Sequence, residues 1–120
     1  MSYVFFTGGR EGPTVWSPTS RVGALYIGMI NVAAQVFTTP TGVRAIADDL
    51  HEIDPDRFEI FVRKLLEIYM HSSHPELLLL MHGVLPPSTV LLERCGVPLL
   101  ARNDKEKALI EEGEALSLVW

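Results

Sequence analysis

The chain has a single cysteine and fewer basic than acidic side chains. Cys95 stands alone among 120 residues, which excludes an intrachain disulfide and a cysteine metal cluster and fits a reducing cytoplasm. Lys and Arg number 10 against 15 Asp and Glu, so the formal net charge is -5 at pH 7. The basic surface with which proteins bind nucleic acid is therefore missing. These shortages predict a cytoplasmic protein with no nucleic-acid partner.

The chain also lacks a continuous hydrophobic run of membrane-spanning length. Residues 22–43 and 77–92 carry no charge. Polar residues or prolines interrupt both stretches, whereas a bilayer span needs about 20 consecutive apolar residues. The first residues contain no basic region followed by an apolar run, which a signal peptide requires. We therefore expect no membrane partner and no signal peptide.

The apolar content is high enough for one folded domain. Hydrophobic residues make up 48% of the 120 residues, and a chain of this length is typical of a single domain. Aromatic and β-branched segments flank a glycine-rich turn near the start, which predicts a β-hairpin over residues 1–16. We assign residues 17–112 to a helical bundle and residues 113–120 to a C-terminal extension of the same domain.

Helical periodicity and capping residues predict a mainly α fold, a bundle of four to five helices. Ser17 and Pro18 start the first helix, which runs to residue 37. Apolar residues at helical spacing predict a short helix over residues 43–50. Asp54 caps a second long helix, whose apolar stripe faces the core.

The second half of the chain predicts further helices and one strand. A capping box over residues 73–76 starts a third helix. Pro86 and Pro87 interrupt it, because proline has no N–H to donate, and the helix restarts directly after them. Asn103 caps a last helix, which covers residues 104–112. Alternation over residues 116–120 predicts a C-terminal strand that joins the N-terminal hairpin.

Caps, turns and core positions between residues 3 and 96 together form a recognisable pattern. They are Trp16 followed by Ser17-Pro18, Asp48-Asp49, Ile53-Asp54-Pro55, His74-Pro75 and Glu93-Arg94-Cys95-Gly96. This pattern resembles a family of small uncharacterised actinobacterial proteins. Members of that family have an unbroken third helix, whereas two prolines interrupt it here. The family has no established activity, so the resemblance implies no catalytic residue.

Two histidines are candidates for a metal site. His71 and His74 have the spacing of a metal-ligand pair, and two imidazoles that meet across the loop between two helices bind zinc. A third ligand from Asp48, Asp49 or His51 leaves an open position for a water. The alternative is structural, because a histidine suits the end of a helix and His74 lies in a cap. Zinc is thus one interpretation, and a protein with no cofactor is the other.

Carboxylates crowd around His51. Asp48 and Asp49 precede it and further acidic residues follow, an arrangement in which carboxylates raise one another's pKa. His51 is the candidate base and Asp48, one helical turn earlier, the group that orients it. The other interpretation of the same residues is a solvated face beside a helix cap.

Apolar residues exceed what a thin helical bundle covers. Residues 77–81 form an apolar run with no polar face, which predicts a helix that is buried on all sides or lies at a subunit interface. Leu79, Met81, His82 and Leu85 are the candidates for a binding surface, either a homodimer interface or a pocket beside the proline break.

Three functions are compatible with these features. The leading hypothesis is a non-catalytic cytoplasmic homodimer that binds a hydrophobic small molecule or a protein or peptide partner. The alternative is a small cofactor-independent enzyme, of cyclase or lyase type, in an actinobacterial natural-product pathway, which uses Asp and His acid–base chemistry. The third is an immunity or antitoxin-like protein, because its acidic charge suits a basic toxin.

Overall fold

The N-terminal segment folds as the predicted hairpin. The computed structural model describes residues 3–9 and 12–116 of the chain. Strands β1 (Val4–Thr7) and β2 (Thr14–Trp16) pair antiparallel. The N-terminal hairpin is thus confirmed, and β1 also serves as an inner strand of a larger sheet.

The prediction of a short helix over residues 43–50 is wrong, because this segment belongs to a second hairpin. Strands β3 (Val43–Ala47) and β4 (Leu50–Ile53) pair antiparallel around a turn at Asp48 and Asp49. Apolar spacing over so short a run is compatible with helix or strand, and pairing decides between them. β4 pairs in parallel with β1, which gives a four-stranded mixed sheet in the order β2-β1-β4-β3.

Helices make up most of the rest of the described chain. They are α1 (Ser20–Phe37), α2 (Pro55–His71), α3 (Pro75–His82), α4 (Leu85–Arg94) and α5 (Asp104–Leu116). The fold is therefore an α+β mixture. The prediction of a mainly α bundle is confirmed for its helices and N-terminal strands and corrected for the four-stranded sheet.

The start of α1 and the position of the break before α4 differ from the predictions. α1 begins at Ser20 rather than residue 18, and its N-cap is Thr19, which makes no side-chain cap hydrogen bond. The chain breaks at Gly83 and Val84, before the two prolines, which lie in the first turn of α4. Proline fits that turn because the N–H groups there have no acceptor within the helix.

The predicted C-terminal strand begins inside a helix. α5 continues past the predicted end at residue 112 and includes Leu116 as its last residue. Residues 113–116 are therefore helical rather than part of an extension. The remainder of the predicted strand, residues 117–120, lies outside the described residues.

Side-chain caps fix where α2 and α5 begin. Asp54 accepts hydrogen bonds from two backbone N–H groups in the first turn of α2, at 3.1 and 3.3 Å. Asn103 accepts from the N–H of Glu106 at 2.9 Å. The buried carboxylate of Glu106 in turn accepts from the Arg102 guanidinium at 2.7 Å, and these hydrogen bonds hold the pKa of Glu106 below its usual value. Both caps confirm the predicted helix starts.

One apolar core joins the sheet to α2 and α4. Phe5 and Ile53 come from the inner strands, Phe58 and Phe61 from α2, and Leu91 from α4, and all five are fully enclosed. Most residues of α4 are buried as well. The core therefore lies on the side of α4 and α2, and α1 is left at its edge.

Within residues 3–9 and 12–116, no single helix is long and apolar enough to span a membrane. Only α3 and α4 taken together reach that length and composition, across a bend of 41°.

Candidate functional site

The predicted acid–base residues are not joined by a hydrogen bond. Asp48 and Asp49 occupy the turn between β3 and β4 and are exposed, whereas His51 on β4 is only 4% exposed. Within the described part of the chain, neither carboxylate forms a hydrogen bond with the buried Nδ1 of His51. The pairing was expected from helical spacing, and strands place side chains with a different period. Asp48 therefore does not hold the ring of His51, and an acid–base role for these residues stays a prediction.

His51 belongs instead to an aromatic stack. Its ring lies 5.3 Å, between centroids, from the rings of both Tyr3 and Phe5. Its Nδ1 atom is buried and has no hydrogen-bond partner among residues 3–9 and 12–116. Burial lowers the pKa of His51 below its usual value, and the negative charge of Asp49 opposes that effect. The ring is therefore held in its neutral form as part of the core.

His71 and His74 make local hydrogen bonds at the ends of two helices. The Nδ1 of His71 lies 2.9 Å from the carbonyl oxygen of Glu67. His74 is the N-cap of α3, and its Nδ1 accepts from the N–H of Leu77 at 3.4 Å. No group of three or more His, Cys, Asp or Glu side chains in the described ranges is arranged to hold a metal ion. A zinc site at these two histidines stays a prediction.

His82 links three helices through hydrogen bonds. Its Nε2 lies 2.6 Å from Oε2 of Glu112 on α5, and its Nδ1 lies 3.4 Å from the hydroxyl of Tyr69 on α2. A neutral ring with its proton on Nε2 donates to Glu112 and accepts from Tyr69. Sequence spacing does not reveal this chain of groups, because Glu112 lies 30 residues after His82. His82 thus links α3 to its neighbours, and its contribution to a binding surface stays a prediction.

An apolar groove of about 600 Å³ lies between α1 and α3. α1 supplies eight of its lining residues. The others are Leu65 from α2, Leu77, Leu80 and Met81 from α3, and Val84 from the break before α4. None of these lining side chains is polar or charged. The groove is therefore suited to an apolar partner rather than to a polar substrate.

The groove is bordered by large apolar side chains that face solvent. Leu25 is 66% exposed, Val32 59% and Val36 65% on α1, and Leu80 is 73% exposed on α3. Only three of the 18 residues of α1 are buried. Contiguous exposed apolar surface of this kind typically marks a site of interaction.

Three of the residues predicted for the binding surface lie in different environments. Met81 lines the groove, and Leu79 is exposed on α3 outside the groove lining. Leu85 is fully buried in the core and therefore contributes to no surface, because the first turn of α4 faces inward. Of the two environments predicted for α3, burial on all sides is excluded because Leu79 and Leu80 are exposed, and a subunit interface stays a prediction. Part of the apolar run borders the groove.

Two close contacts attach α1 to the rest of the molecule. At Gly23, a Cβ atom would lie 2.5 Å from the side chain of Tyr3, so only glycine allows this approach. The hydroxyl of Tyr26 lies 2.7 Å from Oγ of Ser88 on α4, in a buried hydrogen bond. Burial raises the pKa of Tyr26 above its usual value. These contacts hold the buried side of α1 and leave its other side free to form the groove.

Tyr26→Phe is expected to lower the free energy of unfolding by about 1–2 kcal/mol, because it leaves the Ser88 hydroxyl buried without its partner. Urea unfolding measures the change. The control is the double variant Tyr26→Phe with Ser88→Ala, which removes both polar groups and should recover part of the loss. Equal stability of Tyr26→Phe and the unaltered chain would contradict a structural role for this hydrogen bond.

The contribution of α1 was missed from the sequence, although two signals were present. Residues 22–43 carry no charge, and Gly28 stands in the middle of the predicted helix. Those signals indicate an apolar helix with an open position. These signals do not show which side of α1 is covered by the rest of the chain. The covered side determines where the groove lies.

Comparison with known proteins gives a family and no function. No curated protein and no solved structure is similar enough to match the chain. A match to a family of unknown function covers residues 1–119. The chain therefore belongs to DUF6086, a family of unknown function, as the order of its caps and core positions predicted.

Proposed function

We propose that this protein is a non-catalytic binding protein, and that the groove between α1 and α3 binds an apolar helical surface of a protein partner. The observation that carries the proposal is an uncharged groove bordered by Leu25, Val32, Val36 and Leu80, which are each more than half exposed. A protein that exposes such a surface gains free energy when a partner covers it.

A helix fits this groove better than a small polar molecule does. Small-molecule sites combine apolar walls with a few polar groups that orient the ligand, and this lining has none. Recognition of a helix in a groove depends on apolar side chains three and four positions apart. Leu25, Val32 and Val36 are seven and four positions apart, which keeps them on one face of α1.

Burial of the four exposed side chains contributes a substantial free energy of binding. Complete burial of one Leu or Val side chain contributes about 1.5–3 kcal/mol, so covering these four, each about two-thirds exposed, contributes roughly 4–8 kcal/mol. Association itself costs about 4–15 kcal/mol in lost freedom of motion. A stable complex therefore requires a partner that buries a similar apolar surface of its own.

A hydrophobic small molecule is the second candidate for the groove. Its volume of about 600 Å³ lies within the range of typical ligand cavities, about 300–1,000 Å³. A flexible acyl chain needs no polar contact along its length. Such a ligand would leave the protein monomeric, which separates it from a protein partner.

Leu80→Glu is expected to weaken binding of the apolar dye 1-anilinonaphthalene-8-sulfonate at least about tenfold, because a carboxylate in the groove must lose water. Dye fluorescence is titrated at submicromolar protein concentration. Leu100→Glu is the matched control, because Leu100 is 82% exposed and lies outside the groove lining. The same dye affinity in all three proteins would show that the groove is not the apolar binding site.

A further inference from the structure

We propose that the partner in the groove is a second copy of this chain, with two α1 helices packed antiparallel across a two-fold axis close to Gly28. This inference rests on the proposed function, because it names the occupant of the same groove.

Gly28 marks a position where another backbone can come close. A Cβ atom at Gly28 would meet nothing within 4 Å in the described part of the chain, so its own fold does not require glycine there. Glycine inside a helix lowers stability relative to alanine. Gly23, in the same helix, is explained by the contact with Tyr3. A neighbouring helix that packs against Gly28 explains why this position is a glycine, as the contact with Tyr3 does for Gly23.

The exposed face of α1 and the grooves beside it form one apolar surface. A second groove, of about 430 Å³, adjoins the first and shares Leu25 and Met29 with it. The exposed side chains of α1 therefore stand next to an apolar depression. In a two-fold dimer the exposed side chains of each copy lie in the groove of the other, and both copies use the same surface.

Charge favours a second copy over a partner of opposite charge. The chain has no charged side chain between Arg21 and Arg44, which covers almost all of α1. Two such helices meet without placing like charges together, although each chain carries a net charge of -5. Charges elsewhere are screened over about 8 Å at physiological ionic strength. A basic partner would find no acidic group on this surface.

The area is sufficient for a small stable interface. α1 has 18 residues and is therefore about 27 Å long, and α3 adds a shorter helix beside it. With a width of about 10 Å for each helix, the surface measures roughly 400 Å² in projection, and more when side-chain relief is included. Two copies therefore bury on the order of 1,000 Å², which is the lower limit for specific interfaces.

The two-fold axis fixes which residues face each other. The midpoint of α1 falls between Gly28 and Met29. Residues equally distant from that point lie opposite one another in an antiparallel pair. Leu25 therefore faces Val32 of the second copy, and Ala24 faces Ala33 of the second copy. Val36 faces Arg21 of the second copy, so the apolar pairing covers the middle of α1 rather than its whole length.

Sedimentation velocity tests the association. We expect the unaltered chain to form a dimer at micromolar concentration and Val32→Glu to weaken that dimer about 100-fold or more, because the interface would hold two unpaired carboxylates. Leu100→Glu should associate as the unaltered chain does. Circular dichroism confirms that the variants are folded.

Disulfide formation tests the antiparallel register. In a Cys95→Ala background, the double variant Leu25→Cys with Val32→Cys should give a covalent dimer on mild oxidation, since each cysteine faces its counterpart in the second copy. Within one chain the two positions are about 10 Å apart along the helix, too far for an internal bond. Leu25→Cys alone should form little dimer, and efficient dimer formation by that variant would overturn the antiparallel packing.

The two proposals fail in different ways. A chain that stays monomeric at high micromolar concentration and forms no cross-link overturns the second-copy inference. If dye binding is then still sensitive to Leu80→Glu, the groove is a binding site for a different protein or for a hydrophobic small molecule. If dye binding is insensitive as well, the proposed function fails with it.

Discussion

Gly113→Ala is expected to lower the free energy of unfolding by about 2–3 kcal/mol, because α4 and α5 must move apart. A Cβ atom at Gly113 would lie 2.4 Å from the carbonyl oxygen of Pro86 and 2.8 Å from Cγ2 of Val90. The first of these neighbours is backbone, so a change of rotamer cannot relieve the clash. Thermal unfolding followed by circular dichroism should show a Tm lower by roughly 10 °C.

Gly28→Ala is the matched control, since it makes the same substitution in the middle of another helix. No described atom lies within 4 Å of the added methyl group, so higher helix propensity should raise stability by about 0.5–1 kcal/mol. The measurement belongs at low concentration, where the chain is monomeric. Similar losses from both substitutions would mean that propensity or solvent exposure, not the approach of α4 to α5, determines the result.

Local signals predicted the helix starts well, because a cap involves only a few neighbouring residues. Asp54 and Asn103 each bond to the first turn of the helix that follows, and both were recognised from sequence. The strands over residues 43–53 were missed for the opposite reason. β4 is stabilised by parallel pairing with β1, which lies more than 40 residues earlier. A pattern within residues 43–53 cannot predict a partner that is so distant in sequence.

The candidate site was predicted only in part, because its location depends on which faces the fold leaves uncovered. The apolar run at residues 77–81 predicted a surface on α3, and Leu77, Leu80 and Met81 from that run line the groove. Leu85 was included by proximity in sequence, but the break at Gly83 turns the first residues of α4 into the core. The helix that was expected to place Asp48 beside His51 is a hairpin, so the predicted alignment of these two residues is absent.

His51 also makes the stability of the fold depend on pH. Its ring is stacked between two aromatic rings with a buried Nδ1 that has no partner in residues 3–9 and 12–116. Its pKa in the folded chain lies below the ordinary value of 6.5. Above pH 6.5, His51 is neutral in both the folded and the unfolded chain. As pH falls below 6.5, the unfolded chain binds a proton that the folded chain resists, so stability is lost until the folded pKa is reached.

His51→Phe is therefore expected to stabilise the protein, by about 1 kcal/mol at pH 7.5, where the unpaired nitrogen alone is removed, and by a larger margin at pH 5, where the lowered pKa of His51 also costs the unaltered chain stability. Phenylalanine keeps an aromatic ring between Tyr3 and Phe5 and removes both the unpaired nitrogen and the proton-binding group. Urea unfolding at the two pH values measures the difference. The exposed His71→Gln variant should keep the acid-side loss of the unaltered chain. If His51→Phe loses stability between pH 7.5 and 5 as steeply as the unaltered chain, the acid sensitivity comes from other groups, and His51 is not the buried neutral histidine that the stack requires.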